Sequence, residues 1–311
     1  RPWFENLIAH GLKDDEQALF ACVVDGNDVL AVLPLLKRAD ENYYALSNNF
    51  TSLYTLLLAD GNQQAIIECL AKGLSGTAFE YLVLQPVDAA DAAIRHLQGA
   101  LKAHGFSCYR SFRFDNWMHR VEGQSFIEYM DGRPARLRNT IARKQRKLER
   151  EHGYEIRLFI DNNIEEALSD YGTAYKASWK GGEFFRDFVP GLVNRLAGRG
   201  WPRLAVLYVD GKPVAAQIWF VVHGRASIFR LLYDEAWKAY SPGSILTSYL
   251  VEYVIDTDKV DEIDFLTGNE RYKQDWMTVC RQRKELVCTR KLIPERGRHR
   301  TIEWLRRVAN R

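Results

Sequence analysis

The chain has 311 residues, enough for two domains of ordinary size or one large domain. Hydrophobic residues make up 47% of it and charged residues 27%, a globular composition that excludes disorder of the whole chain. The formal net charge of +3 conceals two basic stretches: residues 136–150 carry seven basic residues against one acid, and residues 281–311 carry eleven against three. Such stretches can bind an anionic partner.

Neither a membrane span nor a metal site is indicated. No apolar run approaches the roughly 20 residues that a membrane-spanning helix needs, since even residues 205–220 contain Asp210, Lys212 and Gln217. The five cysteines lack paired spacing and the seven histidines lack a metal-ligand pattern, so neither a disulfide framework nor a zinc site is indicated. We expect a soluble, cytoplasmic protein without a bound metal.

The first third of the chain alternates strands and helices. Helical spacing of apolar residues ends at Gly73 in one segment and at Gly105 in another, as a helix C-terminus often does. The pattern predicts strands at residues 18–24, 29–36, 79–84 and 108–114, and helices at residues 62–74 and 88–104. This portion is therefore expected to be mixed α/β.

The alternation continues to the end of the chain. A strongly basic helix led by Pro134 is expected to stop at Gly153, and the Asp210-Gly211 pair predicts a tight hairpin. The remaining predicted elements are strands at 154–160, 204–209, 214–222, 226–233 and 262–266, and helices at 164–180, 187–197 (interrupted near Pro190) and 245–255.

One segment of the sequence is repeated. Residues 23–33, VVDGNDVLAVL, and residues 208–218, YVDGKPVAAQI, share a strand, an Asp-Gly turn and a second strand, 185 residues apart. Any two hairpins with Asp-Gly turns look alike, but the similar order of the surrounding elements favours duplication. We therefore predict tandem domains at residues 1–116 and 117–311.

A loop of small residues precedes the helix at 245–255. A helix start exposes unpaired backbone N–H groups and the positive end of the helix dipole, which can bind phosphate. Ser241, Gly243 and Ser244 suit that role, Pro242 fixes the backbone, and Lys238 can add charge. The alternative is an ordinary capped helix.

Five segments together carry a family resemblance. They are LRNTIARKQRKLE, Ser178-Trp179, LAVLYVDGKPVAAQIWF, YDEAWKAYSPGSIL and DFLTGNERYKQDW. Through them, residues 130–290 resemble the CelD-like (cellulose-biosynthesis-associated) acyltransferases of the GNAT superfamily, which are similar to the Fem-type peptidoglycan aminoacyltransferases. The resemblance implies an α/β (α+β) fold of tandem GNAT-like domains, each a mixed central β-sheet flanked by helices, the first of them degenerate.

The resemblance also implies a donor site. An acyl-CoA would lie in a splay between the central strands, with its pantetheine arm along the sheet edge from Arg230 to Tyr233, which includes Leu231, and its pyrophosphate on the helix start at residues 241–244. Lys238, Ser241, Gly243 and Ser244 are the expected phosphate contacts.

Three residues near the end of the resemblance are the catalytic candidates. Tyr272 would return a proton to the departing thiolate, Lys273 would lower the pKa of Tyr272 or contact a donor phosphate, and Asp264 would act as the base. The simpler alternatives are that Tyr272 packs its ring and that Asp264 caps the following helix.

Trp179, Gln217 and Arg143 are the candidates for binding the acceptor. Trp179 can instead belong to the core, and Gln217 can face the solvent side of an antiparallel sheet. The basic helix that carries Arg143 is a solvated face by default. It could instead bind an acidic acyl-carrier protein, the acceptor stem of an aminoacyl-tRNA, or an anionic glycan or membrane face.

Three functions remain open from the sequence. The first is transfer of an acyl group from acyl-CoA or acyl-carrier protein to an amine, or to a hydroxyl, of an amino sugar, amino acid or polysaccharide precursor such as that of a bacterial exopolysaccharide. The second is Fem-like aminoacyl transfer from a charged tRNA, the one case in which a nucleic-acid partner is expected. The third is a non-catalytic binding module on a GNAT scaffold.

Overall fold

The computed structural model describes residues 1–180 and 186–290, which form two compact units. The first unit contains Leu7–Asp115 and residues 281–290, and the second contains Arg1–Asn6 and Asn116–Cys280. This division differs from a single boundary after residue 116. The first unit also contains residues 281–290 near the C-terminus, and the second also contains Arg1–Asn6 at the N-terminus. The tandem division at residues 116 and 117 stays a prediction.

The elements follow one another in this order: α1 (Pro2–His10), β1 (Gln17–Asp25), β2 (Asp28–Lys37), β3 (Tyr43–Ala45), β4 (Leu57–Leu58), α2 (Gln63–Ser75), β5 (Tyr81–Asp88), α3 (Ala92–Ala103), β6 (Ser107–Arg120), α4 (Phe126–Asp131), α5 (Ala135–Glu151), β7 (Glu155–Phe159), α6 (Ile164–Lys176), α7 (Phe188–Ala197), β8 (Pro202–Val209), β9 (Lys212–Val222), β10 (Arg225–Tyr233), a 3₁₀ helix (Glu235–Tyr240), α8 (Pro242–Asp256), β11 (Glu262–Thr267), α9 (Arg271–Trp276) and β12 (Val279–Thr289). Within the described ranges, no helix is long and apolar enough to span a membrane.

In the first unit, the strand order is β1-β2-β3-β5-β12, followed by the first part of β6, with β4 paired to β2. Of the strand pairs whose register is described, β3–β5 is parallel, whereas β1–β2, β2–β3, β2–β4 and β5–β12 are antiparallel. Helices α2 and α3 contribute Leu70, Leu74, Leu97 and Leu101 to the buried core of this unit. The predicted mixed α/β character of this portion is confirmed.

The repeated segments both form two-residue hairpins, but not in the same register. In β1-β2 the closing pair is Asp25 with Asp28, whereas in β8-β9 it is Val209 with Lys212. The turn therefore falls on residues 26–27 in the first hairpin and on Asp210-Gly211, both with positive φ, in the second. The second turn is the one the sequence predicted.

In the second unit, the strand order is β11-β10-β9-β8-β7, preceded by the second part of β6, and only β10 and β11 are parallel. All eight residues of β8 are buried, so this strand is covered on both faces. Leu207 belongs to the core cluster built with α8, whereas the hydroxyl of its neighbour Tyr208 donates to Asp170 of α6. Because alternate residues of a strand face opposite sides, α6 and α8 cover opposite faces of this sheet.

Several predicted boundaries are wrong for local reasons. Helix α6 ends at Lys176 rather than at residue 180, and α7 is continuous because Pro190 lies in its first turn, where a missing N–H costs no intrahelical bond. Helix α3 begins after Asp91, whose carboxylate caps the N–H of Ile94.

The sequence did not predict β12.

Candidate functional site

A wedge-shaped gap opens between the two parallel strands of the second unit. β10 and β11 pair over only three residues of each, from Arg225 opposite Glu262 to Ser227 opposite Asp264. Beyond this point β10 stays paired with β9 as far as Tyr233, while β11 follows β6. The two strands therefore separate toward their C-terminal ends and leave a slot between them, which we call the splay.

A β-bulge lies in β10 where the splay begins. The pairing with β9 is regular up to Ile228 and resumes at Arg230, so Phe229 is an additional residue in β10. A bulge changes which residues face each side of a sheet. Ile228 faces the core with α8 before the bulge; after it Leu231 and Tyr233 pack against that core, and Arg230 turns to the opposite face.

The start of α8 lies directly against the splayed half of β10. Ser241 precedes the helix with a left-handed φ of 54°, and Pro242 occupies its first turn. Gly243 is buried there, and a Cβ atom added to it would lie 3.2 Å from the ring of Tyr233 and 3.7 Å from Leu231. Because glycine has no Cβ, this helix start can pack closely against the side chains of β10 without displacing them.

The basic helix α5 braces the segment that leads into α8. Lys144 Nζ donates to the carbonyl of Ala239, and Lys147 Nζ lies 4.6 Å from the ring centroid of Tyr240. The hydroxyl of Tyr240 donates to Glu151 at 2.9 Å. Part of the positive charge of α5 is thus used to hold the 3₁₀ helix in place.

Lys238 and Arg143 remain exposed near this segment. Lys238 lies on the 3₁₀ helix, where its carbonyl accepts from the N–H of Ser241 and its side chain faces solvent. Arg143 lies on the exposed side of α5. Both side chains are open to an anionic ligand in solvent. The predicted contact of Lys238 with a donor phosphate and the predicted contact of Arg143 with the acceptor stay predictions.

Gln217 of β9 is fully buried, inside the protein rather than at a surface or in an open pocket. Its Nε2 donates to the carbonyl of Gly243 and to the hydroxyl of Thr247, both at 2.8 Å, and its Oε1 accepts from Trp219 Nε1 at 2.8 Å. The two bonds that Nε2 donates tie β9 to the first two turns of α8, and the Trp219 bond holds the amide in place from within β9. This geometry makes Gln217 an anchor for the helix start.

We expect Gln217→Leu to lower the free energy of unfolding by about 2 kcal/mol, because it leaves the Trp219 N–H without its acceptor and removes both bonds to α8. Chemical denaturation would measure the loss. Gln145→Leu, on the partly exposed surface of α5, is the matched control and should change stability by less than about 0.5 kcal/mol. An unchanged stability for Gln217→Leu would show that the network does not anchor α8.

Asp264, the predicted base, lies at the point where β10 and β11 part, and it is only 2% exposed. Its Oδ1 accepts from Asn116 Nδ2 at 2.5 Å and from the N–H of Leu266 at 2.7 Å. Asn116 Nδ2 also donates to the carbonyl of Leu266 at 2.9 Å. These bonds hold Leu266 in a left-handed conformation, φ 51°, which a branched side chain rarely adopts.

Lys273, on α9, is 4% exposed, and its ammonium contacts the strand that precedes the helix. Nζ donates to the carbonyls of Phe265 and Thr267 and pairs with Glu270 at 3.1 Å. Burial lowers the pKa of Lys273, and the charge of Glu270 opposes that effect. The side chain is therefore engaged with β11 and the loop after it, and its predicted contact with a donor phosphate stays a prediction.

Tyr272, the neighbour of Lys273, is by contrast 43% exposed. Its ring lies 6.3 Å from that of Phe265, centroid to centroid. Partial burial, with the charge of Glu270, raises the pKa of Tyr272 to about 12. The hydroxyl therefore keeps its proton at neutral pH, as a group that protonates a thiolate must.

Trp179 follows the end of α6 and is partly exposed. Its ring lies 4.5 Å from that of Tyr233, which in turn contacts the Gly243 backbone region. Trp179 therefore lies next to the splayed end of β10, and Tyr233 lies between it and the start of α8. Sequence reasoning missed Asn116, which donates to Asp264, and Lys180, which lies beside the Trp179 ring; no periodicity or motif marks them.

The chain is similar to a known protein family in part of its sequence and to solved structures in its fold. Residues 135–274 match the family described as acetyltransferase (GNAT) domain. The match lies within the second unit and covers less than half of the chain, and this unit has the mixed sheet flanked by helices that the sequence predicted. No curated protein sequence is significantly similar to the chain.

Solved structures resemble the chain over nearly its whole length at low sequence identity. FemX aligns with a TM-score of 0.63 and 9% identity, covering 92% of this chain and 90% of its own. L-PGS from Bacillus licheniformis aligns with a TM-score of 0.60 and 13% identity, covering 99% and 96%. A tandem GNAT protein from the clavulanic acid biosynthesis pathway aligns with a TM-score of 0.55 and 12% identity, covering 94% and 89%. These similarities show the fold.

Proposed function

We propose that the protein transfers an acyl group from an acyl-CoA to an amine of an amino sugar, amino acid or polysaccharide precursor. The observation that carries the proposal is the splay of β10 and β11 with the Gly243 helix start at its end. The edge of β10 that borders the splay can pair with the amides of a pantetheine arm, and the helix N–H groups can bind a pyrophosphate. No group of three or more potential metal ligands occurs among the described residues, and the proposed chemistry uses none.

The proposed reaction depends more on holding the amine next to the thioester than on strongly reactive side chains. A neutral amine attacks the thioester carbonyl, and a backbone N–H of β10 at the bulge can stabilise the oxyanion. The carbon–sulfur bond then breaks, and the thiolate takes the proton of Tyr272, which partial burial keeps in place at neutral pH. Tyr272 regains a proton from the attacking amine through solvent.

Thermal unfolding with coenzyme A, acetyl-CoA and a long-chain acyl-CoA tests the donor. A ligand at 100 times its Kd stabilises the native state by about 2.7 kcal/mol, so we expect a rise of several degrees in Tm with the preferred donor. Gly243→Asp should abolish the rise, because it adds a side chain against Tyr233 and a negative charge at the phosphate position.

Gly198→Asp, at the exposed end of α7, is the matched control and should keep the ligand-induced rise. If no coenzyme A derivative raises the Tm of the wild-type protein, coenzyme A is not the donor carrier. An acyl-carrier protein, for which the basic face of α5 offers charge complementarity, would then be the donor to test.

The FemX and L-PGS similarities keep an aminoacyl-tRNA donor as the second candidate. Among residues 1–180 and 186–290 the longest helix is α5, of 17 residues, so the described chain offers no long helical hairpin as a tRNA arm. Stabilisation by a charged tRNA but not by any coenzyme A derivative would favour this candidate.

A further inference from the structure

The ammonium of Lys273 joins the short helix α9 to the strand that precedes it. A lysine ammonium has three N–H donors, and here each has an acceptor. Nζ donates to the carbonyl of Phe265 at 3.0 Å and to the carbonyl of Thr267, and it pairs with the Glu270 carboxylate at 3.1 Å. Because Lys273 is also buried, its ammonium is enclosed by the turn between β11 and α9 instead of pointing into solvent.

A glycine gives this turn its shape. Gly268 has a φ of 108°, and a Cβ atom added to it would lie 2.5 Å from a carboxylate oxygen of Glu270. The carboxylate can therefore fold back over Gly268 only while no side chain is present at that position. The ion pair between Glu270 and Lys273 is thus built into the backbone path of the turn.

Helix α9 depends on this contact because it is too short to be stable alone. It spans six residues, and its N-cap residue Glu270 makes no side-chain cap bond. An isolated helix of this length does not persist in water. The buried residues of α9 are Lys273 and Trp276, and Trp276 is its last residue. Lys273 is therefore the buried anchor of the first turn.

The same turn carries Tyr272, whose own contacts are few. Tyr272 is 43% exposed, and its ring lies 6.3 Å from that of Phe265. Within residues 1–180 and 186–290, the Tyr272 hydroxyl has no hydrogen-bond partner. The hydroxyl is thus open to a substrate, and the place of the helix backbone decides where it lies.

We propose that Lys273 is a positioning residue, which sets the place of the Tyr272 hydroxyl by fixing α9 against β11. The inference rests on the proposed function, in which Tyr272 gives a proton to the departing thiolate, and it assigns Lys273 a task other than contact with the donor. Proton transfer needs the hydroxyl within hydrogen-bond reach of the sulfur. A displacement of about 1 Å can lower a rate about 100-fold. Loss of the anchor should therefore slow turnover without weakening donor binding.

Hydrogen exchange tests the anchor without reference to activity. In Lys273→Met, the amides of residues 268–276 should exchange at least about tenfold faster than in the wild-type protein, because the first turn of α9 can open. Glu270→Ala removes one of the three acceptors from an exposed position and should cause a smaller change in the same direction. Arg271→Met, at the exposed position before Tyr272, is the matched control and should leave exchange and turnover unchanged. Unchanged exchange in both Lys273→Met and Glu270→Ala would overturn the proposal.

A double-mutant cycle with Tyr272→Phe tests the positioning itself, with kcat measured on the donor that the thermal shifts identify. Lys273→Met should lower kcat about 30- to 300-fold in the wild-type background. It should lower kcat less than about threefold when Tyr272→Phe is already present, because no hydroxyl is then left to misplace. The Tm rise with coenzyme A should be the same in all four proteins. Glu270→Ala, taken through the same cycle, provides the test if Lys273→Met does not fold.

Two results of the cycle would contradict the positioning role. Equal losses of kcat in the two backgrounds would show that Lys273 acts independently of the Tyr272 hydroxyl. A smaller Tm rise with coenzyme A in Lys273→Met would show that the ammonium acts on the donor. Full turnover in Tyr272→Phe alone would instead remove the proton donor from the proposed function, and with it the task assigned to Lys273. If the proposal about Lys273 alone fails, the loss of turnover in Tyr272→Phe remains.

Discussion

Tyr272→Phe is expected to lower the turnover of the acyl donor roughly 100- to 10,000-fold while leaving donor binding unchanged. The substitution removes one hydroxyl from a side chain that is 43% exposed, and the ring keeps its contact with Phe265. Folding should therefore be preserved. Release of coenzyme A from the donor in the presence of an accepted amine, together with the Tm shift caused by coenzyme A, measures both halves of this expectation.

The pH dependence has a definite sign. A proton donor acts only while protonated, and the pKa of Tyr272 is raised to about 12. Loss of the Tyr272 proton should therefore not reduce kcat between pH 7 and 10, and any decline attributable to this residue should begin near pH 11. A decline in the kcat of the wild-type protein centred below pH 9, absent from Tyr272→Phe, would contradict this expectation. It would show that the pKa of the Tyr272 hydroxyl is much lower than its burial and the charge of Glu270 indicate.

Tyr249→Phe, on the partly exposed side of α8, is the matched control and should retain full turnover. Full turnover in Tyr272→Phe as well would show that the Tyr272 hydroxyl is not the acid. Its ring would then only pack against its neighbours, which is the alternative that the sequence left open. Absence of turnover in the wild-type protein, despite tight donor binding, would favour the non-catalytic binding module.

The elements around the site were largely predictable because their signals are local. The Asp210-Gly211 turn fixes the β8-β9 hairpin, and a proline after a serine marks the start of α8. β12 was missed because Arg283, Lys284 and Glu285 make it look like a surface segment. In the structure Arg283 pairs with Asp88 and Glu285 accepts from Ser111, so these charges are compatible with a strand.

The side-chain arrangement of the site was less predictable because distant residues determine it. Gln217 was expected at a pocket or on a solvent face, yet its bonds to Gly243 and Thr247 place it inside. No periodicity indicates which strand position an additional residue such as Phe229 will occupy, and this bulge decides that Arg230 faces α6. Asn116 meets Asp264 across 148 residues of sequence, beyond the range of any local pattern.

Asn116→Ala is expected to be the most destabilising of the substitutions considered. The free energy of unfolding should fall by about 3 kcal/mol, because the buried Asp264 carboxylate loses a charge-assisted donor and the left-handed turn at Leu266 loses one of its restraints. Chemical denaturation measures the loss, with Asn194→Ala on the exposed side of α7 as the control. A loss below about 1 kcal/mol would mean that the bonds from Asp264 and Lys273 hold the splayed part of β11 without Asn116.

Asp264→Asn separates this structural task from the predicted role as a base. An asparagine keeps an oxygen that can accept from Asn116 and from the N–H of Leu266, so the shape of β11 and the stability of the protein should be nearly retained while the negative charge disappears. If Asp264 takes the proton of the amine, kcat should fall about 100-fold or more and rise again with pH as free amine accumulates. If Asp264 only holds Leu266, kcat and its pH profile should stay within about threefold of wild type, and the amine would lose its proton to solvent before it attacks.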